Sequence, residues 1–180
     1  MDESSPPVTE TDSSEVDGFG VSTLTMDEVV ELARKFNFPS GLRFSLPKDP
    51  RRVTKSKEGF FVVSVGALGH GLRIPVSTFA LSILETFQIH PSLLQPQSWS
   101  FIMGFLVRCQ ESGVTPTMGL FKQFHVISSS PGKPGYFFKS RPGVIKILTK
   151  PTQSIKNWRK RYFLVTNLEG FTPPPSGATL

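Results

Sequence analysis

Apolar residues recur along this chain at two spacings. Met26, Val29, Val30, Ala33 and Phe36 stand at i, i+3, i+4, i+7 and i+10 behind Thr25-Met-Asp-Glu28, a capping-box pattern that predicts an amphipathic helix ending before Pro39-Ser-Gly41. Val76, Phe79, Ala80, Ile83, Leu84 and Phe87 predict a second helix opened by Pro75-Val-Ser77. Trp99, Ile102, Met103 and Leu106 repeat at helical spacing, with Phe101 and Phe105 on another side of the same cylinder. A helix apolar around most of its circumference has to be surrounded by protein, so the stretch 98–111 reads as the centre of the core. Gly113 suits the left-handed residue that closes it. Thr115 then reads as an N-cap and Pro116 as the first turn of a short helix burying Leu120, Phe121 and Phe124.

The second spacing is that of strands. Phe60-Phe-Val-Val-Ser-Val65 is β-prone and runs into Gly66, Gly69 and Gly71. The runs 125–130, 136–140 and 144–148 are short and β-type, separated by the turn stretches 131–135 and 141–143. A last element at Trp158–Val165 is a strand, or a helix end running into one. The fold class expected is α+β: a compact, mainly helical domain with a small antiparallel β meander in the C-terminal third. Residues 1–23 carry almost no large apolar side chains and read as a disordered acidic leader. Residues 24–166 form the domain, and 167–180 a disordered tail or linker. Leu42 to Lys57 reads as a basic connector, with Arg51, Arg52, Lys55 and Lys57 more readily a solvated loop than a binding loop.

Charge changes this picture. The net +6 conceals an asymmetry: residues 1–33 hold nine of the fourteen acids and no Lys or Arg. Residues 34–180 hold all twenty basic residues against five acids, a net of +15. Such a domain is either an electrostatic footprint for nucleic acid or is screened and kept soluble by the leader. No apolar run approaches the ~20 residues that span a bilayer, and the acidic start is unlike a secretory signal. A nuclear or cytosolic location is therefore the default expectation, with no membrane partner. One cysteine, Cys109, leaves no internal disulfide and no multi-cysteine zinc knuckle. Beside Met103 and Leu106 it reads as a small core residue.

Candidate chemistry is thin. Gly132-Lys133 fails as a phosphate loop because Ile127 and Pro134 stand where a glycine and a hydroxyl are needed. Asp49, Glu58, Glu85, Glu111 and Glu169 are too scattered for a two-metal nuclease centre. Gly69-His70-Gly71 reads as turn chemistry. Cys109 with His125 makes a nucleophile pair on paper only, since an apolar helix face opposes a thiolate. These readings predict no enzyme, no cofactor, no metal and no small-molecule substrate. What remains is Lys156-Asn-Trp-Arg-Lys-Arg-Tyr-Phe163, with Lys139, Arg141, Lys146 and Lys150 nearby in sequence. In one reading its cations take phosphates while its aromatics stack bases. In the other, Trp158, Tyr162 and Phe163 pack inward and the cations are a solvated rim. Lys156, Arg159, Lys160 and Arg161 are the candidate phosphate contacts.

The order of landmarks carries a resemblance. It runs from Phe60 through Gly71-Leu-Arg-Ile-Pro75 to Phe87-Gln-Ile-His-Pro91 and Leu94-Gln-Pro-Gln-Ser-Trp99. It continues through Glu111-Ser-Gly113, Leu120-Phe-Lys-Gln-Phe124 and Gly135-Tyr-Phe-Phe138 to Lys156-Asn-Trp-Arg-Lys-Arg-Tyr-Phe163. Over roughly residues 24–166 the chain resembles the plant "putative gypsy-type transposon" domain of Gypsy-class LTR retrotransposons. The resemblance implies a gag-side protein, with protease, reverse transcriptase, RNase H and integrase carried by separate domains. It implies origin more than mechanism. The charge asymmetry and the missing catalytic acids are what lead to the expectation of action through self-association or contact with RNA or DNA. A protein-only scaffold and a transposition-related enzyme are the alternatives.

Overall fold

In a computed structural model the structure describes residues 18–50, 53, 60–148 and 153–166. Residues 1–17, Lys150, the tail at 167–180, and Arg51, Arg52, Lys55 and Lys57 of the connector lie outside the described residues. Among the described residues five helices and five strands follow in the order α1 (Met26–Lys35), β1 (Arg43–Ser45), β2 (Phe60–Ser64), α2 (Val65–Gly69), α3 (Thr78–Thr86), α4 (Ser98–Glu111), α5 (Met118–Phe124), β3 (His125–Ser129), β4 (Tyr136–Ser140) and β5 (Tyr162–Thr166). Short 3-10 turns at Pro91–Leu93 and Trp158–Lys160 complete the order. The class is α+β, with the β part larger and more dispersed than a single meander.

The predicted caps largely hold. Thr25 Oγ1 accepts from Glu28 N at 3.2 Å while Glu28 Oε2 accepts from Thr25 N at 2.8 Å. Two orphan donors at the start of α1 are thereby satisfied reciprocally. The inward face of α1 is centred on Val29 rather than on Met26 and Val30, which stay 44% and 45% exposed. Ser77 caps α3, which buries Ala80, Ile83 and Leu84. Gly113 takes φ +63° after α4, a conformation only a residue without Cβ adopts at no cost. The cap of α5 is Thr117, not Thr115: its side chain accepts from Leu120 N at 3.2 Å, so the helix begins two residues later than Pro116 suggested. After β2 the glycines do not break the chain; Ser64 caps the one-turn helix α2 instead.

The sheet departs most from expectation. β5 runs antiparallel to both neighbours in the order β1-β5-β2, pairing Val63 with Phe163 and Phe44 with Val165. The last element is thus the middle strand of a sheet whose edges come from the N-terminal third. β1 lies in what the sequence offers only as a connector. Only β3 and β4 make a hairpin. Residues 144–148 form no strand; Leu148 lies on α4 instead, where a Cβ at Gly104 would stand 2.7 Å from Leu148 Cδ2. The missing Cβ makes this close approach possible.

Alternation along β2 and β5 sends side chains to two clusters. Phe61, Val63, Phe163 and Val165 join the large core with Trp99, Ile102, Phe105 and Phe121. Val62, Tyr162 and Leu164 face a smaller cluster with Phe19, Val53 and Trp158. Phe19 is fully buried, and Ser22 Oγ and Thr23 N donate to the carbonyls of Tyr162 and Lys160 at 2.6 and 2.8 Å. Residues 18–23, assigned to the leader from sequence, therefore pack along β5.

Candidate nucleic-acid interface

The basic strip rises from the smaller cluster. Asn157 sits in the left-handed region (φ +58°), turning the chain into the Trp158–Lys160 turn just before β5. Trp158 is 9% exposed and Tyr162 and Phe163 are fully buried. Phe19 meets the rings of Trp158 and Tyr162 edge to face, at 5.6 and 5.3 Å. Tyr162 Oη donates to Gly20 O at 3.0 Å. Its phenol is pushed up to about 12 by burial, with the charge of Asp49 adding to it. The aromatics of this strip point inward. They offer no stacking platform for bases, and the inward-packing reading is the one the side chains follow.

The four candidate cations have different surroundings. Arg159 lies over Trp158 at 4.5 Å and over Phe19 at 5.7 Å, and donates to Pro134 O in the β3–β4 turn. Its guanidinium ties three segments distant in sequence. Arg161 Nη2 meets Glu28 Oε1 at 3.3 Å, both side chains being substantially exposed. That pair is worth little in water. The Glu28 carboxyl is held below its usual range, first by the Thr25 backbone N–H and then by Arg161. Lys156 and Lys160 are exposed. Of the cations nearby in sequence, Lys139 and Lys146 are exposed, while Arg141 donates twice to Lys122 O at the end of α5, at 3.0 and 2.7 Å.

Cys109 and His125 both lie among apolar neighbours. Burial pushes the Cys109 thiol up, away from thiolate. His125 stacks against Phe121 at 4.5 Å, and burial lowers it to about 4, against a partial opposing pull from the Phe121 backbone. Among the described residues no three His, Cys, Asp or Glu side chains gather to hold a metal ion. Nor is any described helix long and apolar enough to cross a membrane. Sequence reasoning missed His70 as a neighbour of Lys156 and Arg161: with Asn157 they line one recess. No periodicity announces this, because residues 69–70 and 156–161 meet only through the pairing of β2 with β5.

Comparison with known proteins places the central segment. Residues 62–129, from β2 through α5 to the end of β3, match the family described as "Putative gypsy type transposon". The chain carries a gypsy-type transposon domain. No curated protein and no solved structure matches the chain. The gypsy-type segment supplies most of the large core, and the basic strip at 156–161 lies outside the matched residues. The protein is retrotransposon-related on this ground.

Proposed function

We propose that this retrotransposon-related chain is a non-enzymatic, gag-like protein of a plant Gypsy-class element. It works by non-specific contact with RNA or DNA, by self-association, or by both. The observation that carries the reading is the division of labour at residues 156–163. Trp158, Tyr162 and Phe163 are spent on packing, while Lys156, Lys160 and Arg161 stay at the surface of a segment 34–180 whose net charge is +15. Arg159 holds the turn that displays them. Such a surface attracts phosphate by counterion release and carries no base readout.

A filter-binding titration of single-stranded RNA against salt tests this. Three phosphate contacts predict that log K falls with log[salt] at a slope of about −2. An affinity indifferent to ionic strength, or none at all, removes the nucleic-acid half. One observation favours a protein-only scaffold as the second reading. Ile145 is 85% exposed beside an apolar groove floored by Phe105, Cys109, Leu120 and Phe124. The same titration separates the two readings, because a protein-only scaffold binds no RNA at any ionic strength, and light scattering without RNA then reports its assembly.

A further inference from the structure

A recess of about 480 Å³ opens between α2 and the stretch that leads into β5. Gly66, Gly69 and His70 line one side; Lys156, Asn157 and Arg161 line the other. We propose that this recess seats one nucleotide of a single-stranded nucleic acid, its phosphate held by Lys156 and Arg161 and its sugar and base lodged against α2. The proposal rests on the reading that the chain contacts nucleic acid, and names where.

Three features point to a nucleotide. First, three side chains that can donate line the same recess. Arg161 gives a single Nη2 contact to the exposed Glu28, so the other donors of its fork are available to bind phosphate in a planar, two-pronged way. Lys156 adds a mobile point charge. His70 Nδ1 lies 2.8 Å from Ser100 Oγ, so Nε2 is the ring nitrogen left to meet a ligand. Second, the recess is larger than a phosphate needs, and Ile155 and Trp158 give its walls an apolar character suited to a sugar or base edge. Third, the α2 wall is open at Gly69, though closed by Ile155 and Pro96 at Gly66. A Cβ built at Gly69 meets nothing within 4 Å, so the space beside it is open to a ligand. The geometry favours single strands. A concave seat takes a nucleotide splayed from its neighbours, whereas duplex phosphates lie on a convex outer surface.

Gly69 also supplies the test. Its backbone is helical rather than left-handed, so Gly69→Leu fills the recess while leaving the charge unchanged and improving helix propensity. Fluorescence anisotropy of the full chain with a labelled twelve-nucleotide oligo(rU) should show at least a tenfold loss for Gly69→Leu at unchanged Tm. Lys156→Gln, at an exposed side chain, should cost about three- to tenfold, and Lys139→Gln on β4 about twofold or less. Binding of a twelve-base-pair duplex should be insensitive to Gly69→Leu. Wild-type affinity retained by both Gly69→Leu and Lys156→Gln would overturn the recess and leave the surface reading intact. An oligonucleotide that fails to bind the wild-type chain overturns both. Displacement of the oligonucleotide by an equal concentration of inorganic phosphate makes the recess a general anion site and refutes a nucleotide seat.

Discussion

The two hydrophobic clusters differ in where along the chain their residues come from. The larger draws most of its buried side chains from one continuous stretch, 61–138: Phe79 stacks on Phe105 at 5.5 Å, Phe105 meets Phe121 at 5.2 Å, and Phe121 meets Phe138 at 5.2 Å. Most of these residues fall inside the gypsy-type segment 62–129. The smaller is a junction of distant parts, as in the bond from Tyr162 to Gly20 across 142 positions. Forming it closes a long loop at a cost in chain entropy, and the basic strip and the recess are both mounted on it. The proposed binding surface is therefore expected to stand on the part of the fold that opens first, although β5 also gives Phe163 and Val165 to the large core.

The largest expected effects separate the clusters directly. Phe121→Ala should cost roughly 3–5 kcal/mol and lower the urea midpoint of the whole domain, since its ring touches Phe79, Phe105, Phe138 and His125. Phe19→Ala should cost about 3 kcal/mol, at the low end of that range, because the 18–24 segment can undock as a unit. Hydrogen exchange in Phe19→Ala should then lose protection first at Thr23 and Tyr162, with α4 still protected. Loss of protection in one global step would show that the two clusters are a single cooperative unit.

Acid and alkali provide a second separation. His90 and His125 are buried and each lowered to about 4, chiefly by desolvation. A folded-state value below the unfolded 6.5 means the unfolded chain binds more protons between the two. Stability is therefore complete above about pH 6.5 and falls as pH drops towards 4, by up to about 3 kcal/mol per ring. Tyr162 is raised to about 12, so its contribution is complete below about pH 10 and is lost as pH rises towards 12. The large core should thus be the acid-sensitive part and the junction the alkali-sensitive one. Urea midpoints at pH 7, 5 and 4 test the first half. Tyr162→Phe tests the second: it loses the Gly20 bond, about 1 kcal/mol, but should flatten the alkaline fall. An unchanged alkaline slope in that variant would assign the loss to other groups.

The same division marks what could be read from the amino-acid order. Helix spacing and caps are local, so α1 with its Thr25–Glu28 box, α3 behind Ser77, and α4 closed by Gly113 were all legible. The hairpin was legible from two β-type runs flanking Pro131-Gly-Lys-Pro-Gly135. The partners of β5 were not, because a period of two states that Tyr162 and Phe163 face opposite ways but not which strands they lie between. β1 was hidden by its brevity, at three residues in a basic stretch. Residues 144–148 have strand composition, yet Gly104 offers Leu148 a place on α4, and packing overrides propensity there. The recess inherits this blindness. Its cations at 156 and 161 were named from composition, while His70 was read as turn chemistry because its distance from them is a tertiary fact.

A last pair of substitutions tests whether Arg159 couples the hairpin to the junction. Gly132 and Gly135 share one turn and both take positive φ, at +66° and +139°. A Cβ at Gly132 meets nothing within 4 Å, so Gly132→Ala should pay only the left-handed backbone cost, about 1 kcal/mol. A Cβ at Gly135 would stand 2.8 Å from Arg159 Nη2 and 3.3 Å from Leu93 O, at a φ that only glycine adopts readily. Gly135→Ala should cost roughly 1–3 kcal/mol and expel the guanidinium from its place over Trp158. Trp99 is buried in the large core and should not respond, so a shift in Trp fluorescence would report on Trp158. Equal cost in the two variants, with emission unchanged, would show that Arg159 packs beside the hairpin without binding it to the junction. The basic strip would then owe its position to β5 alone.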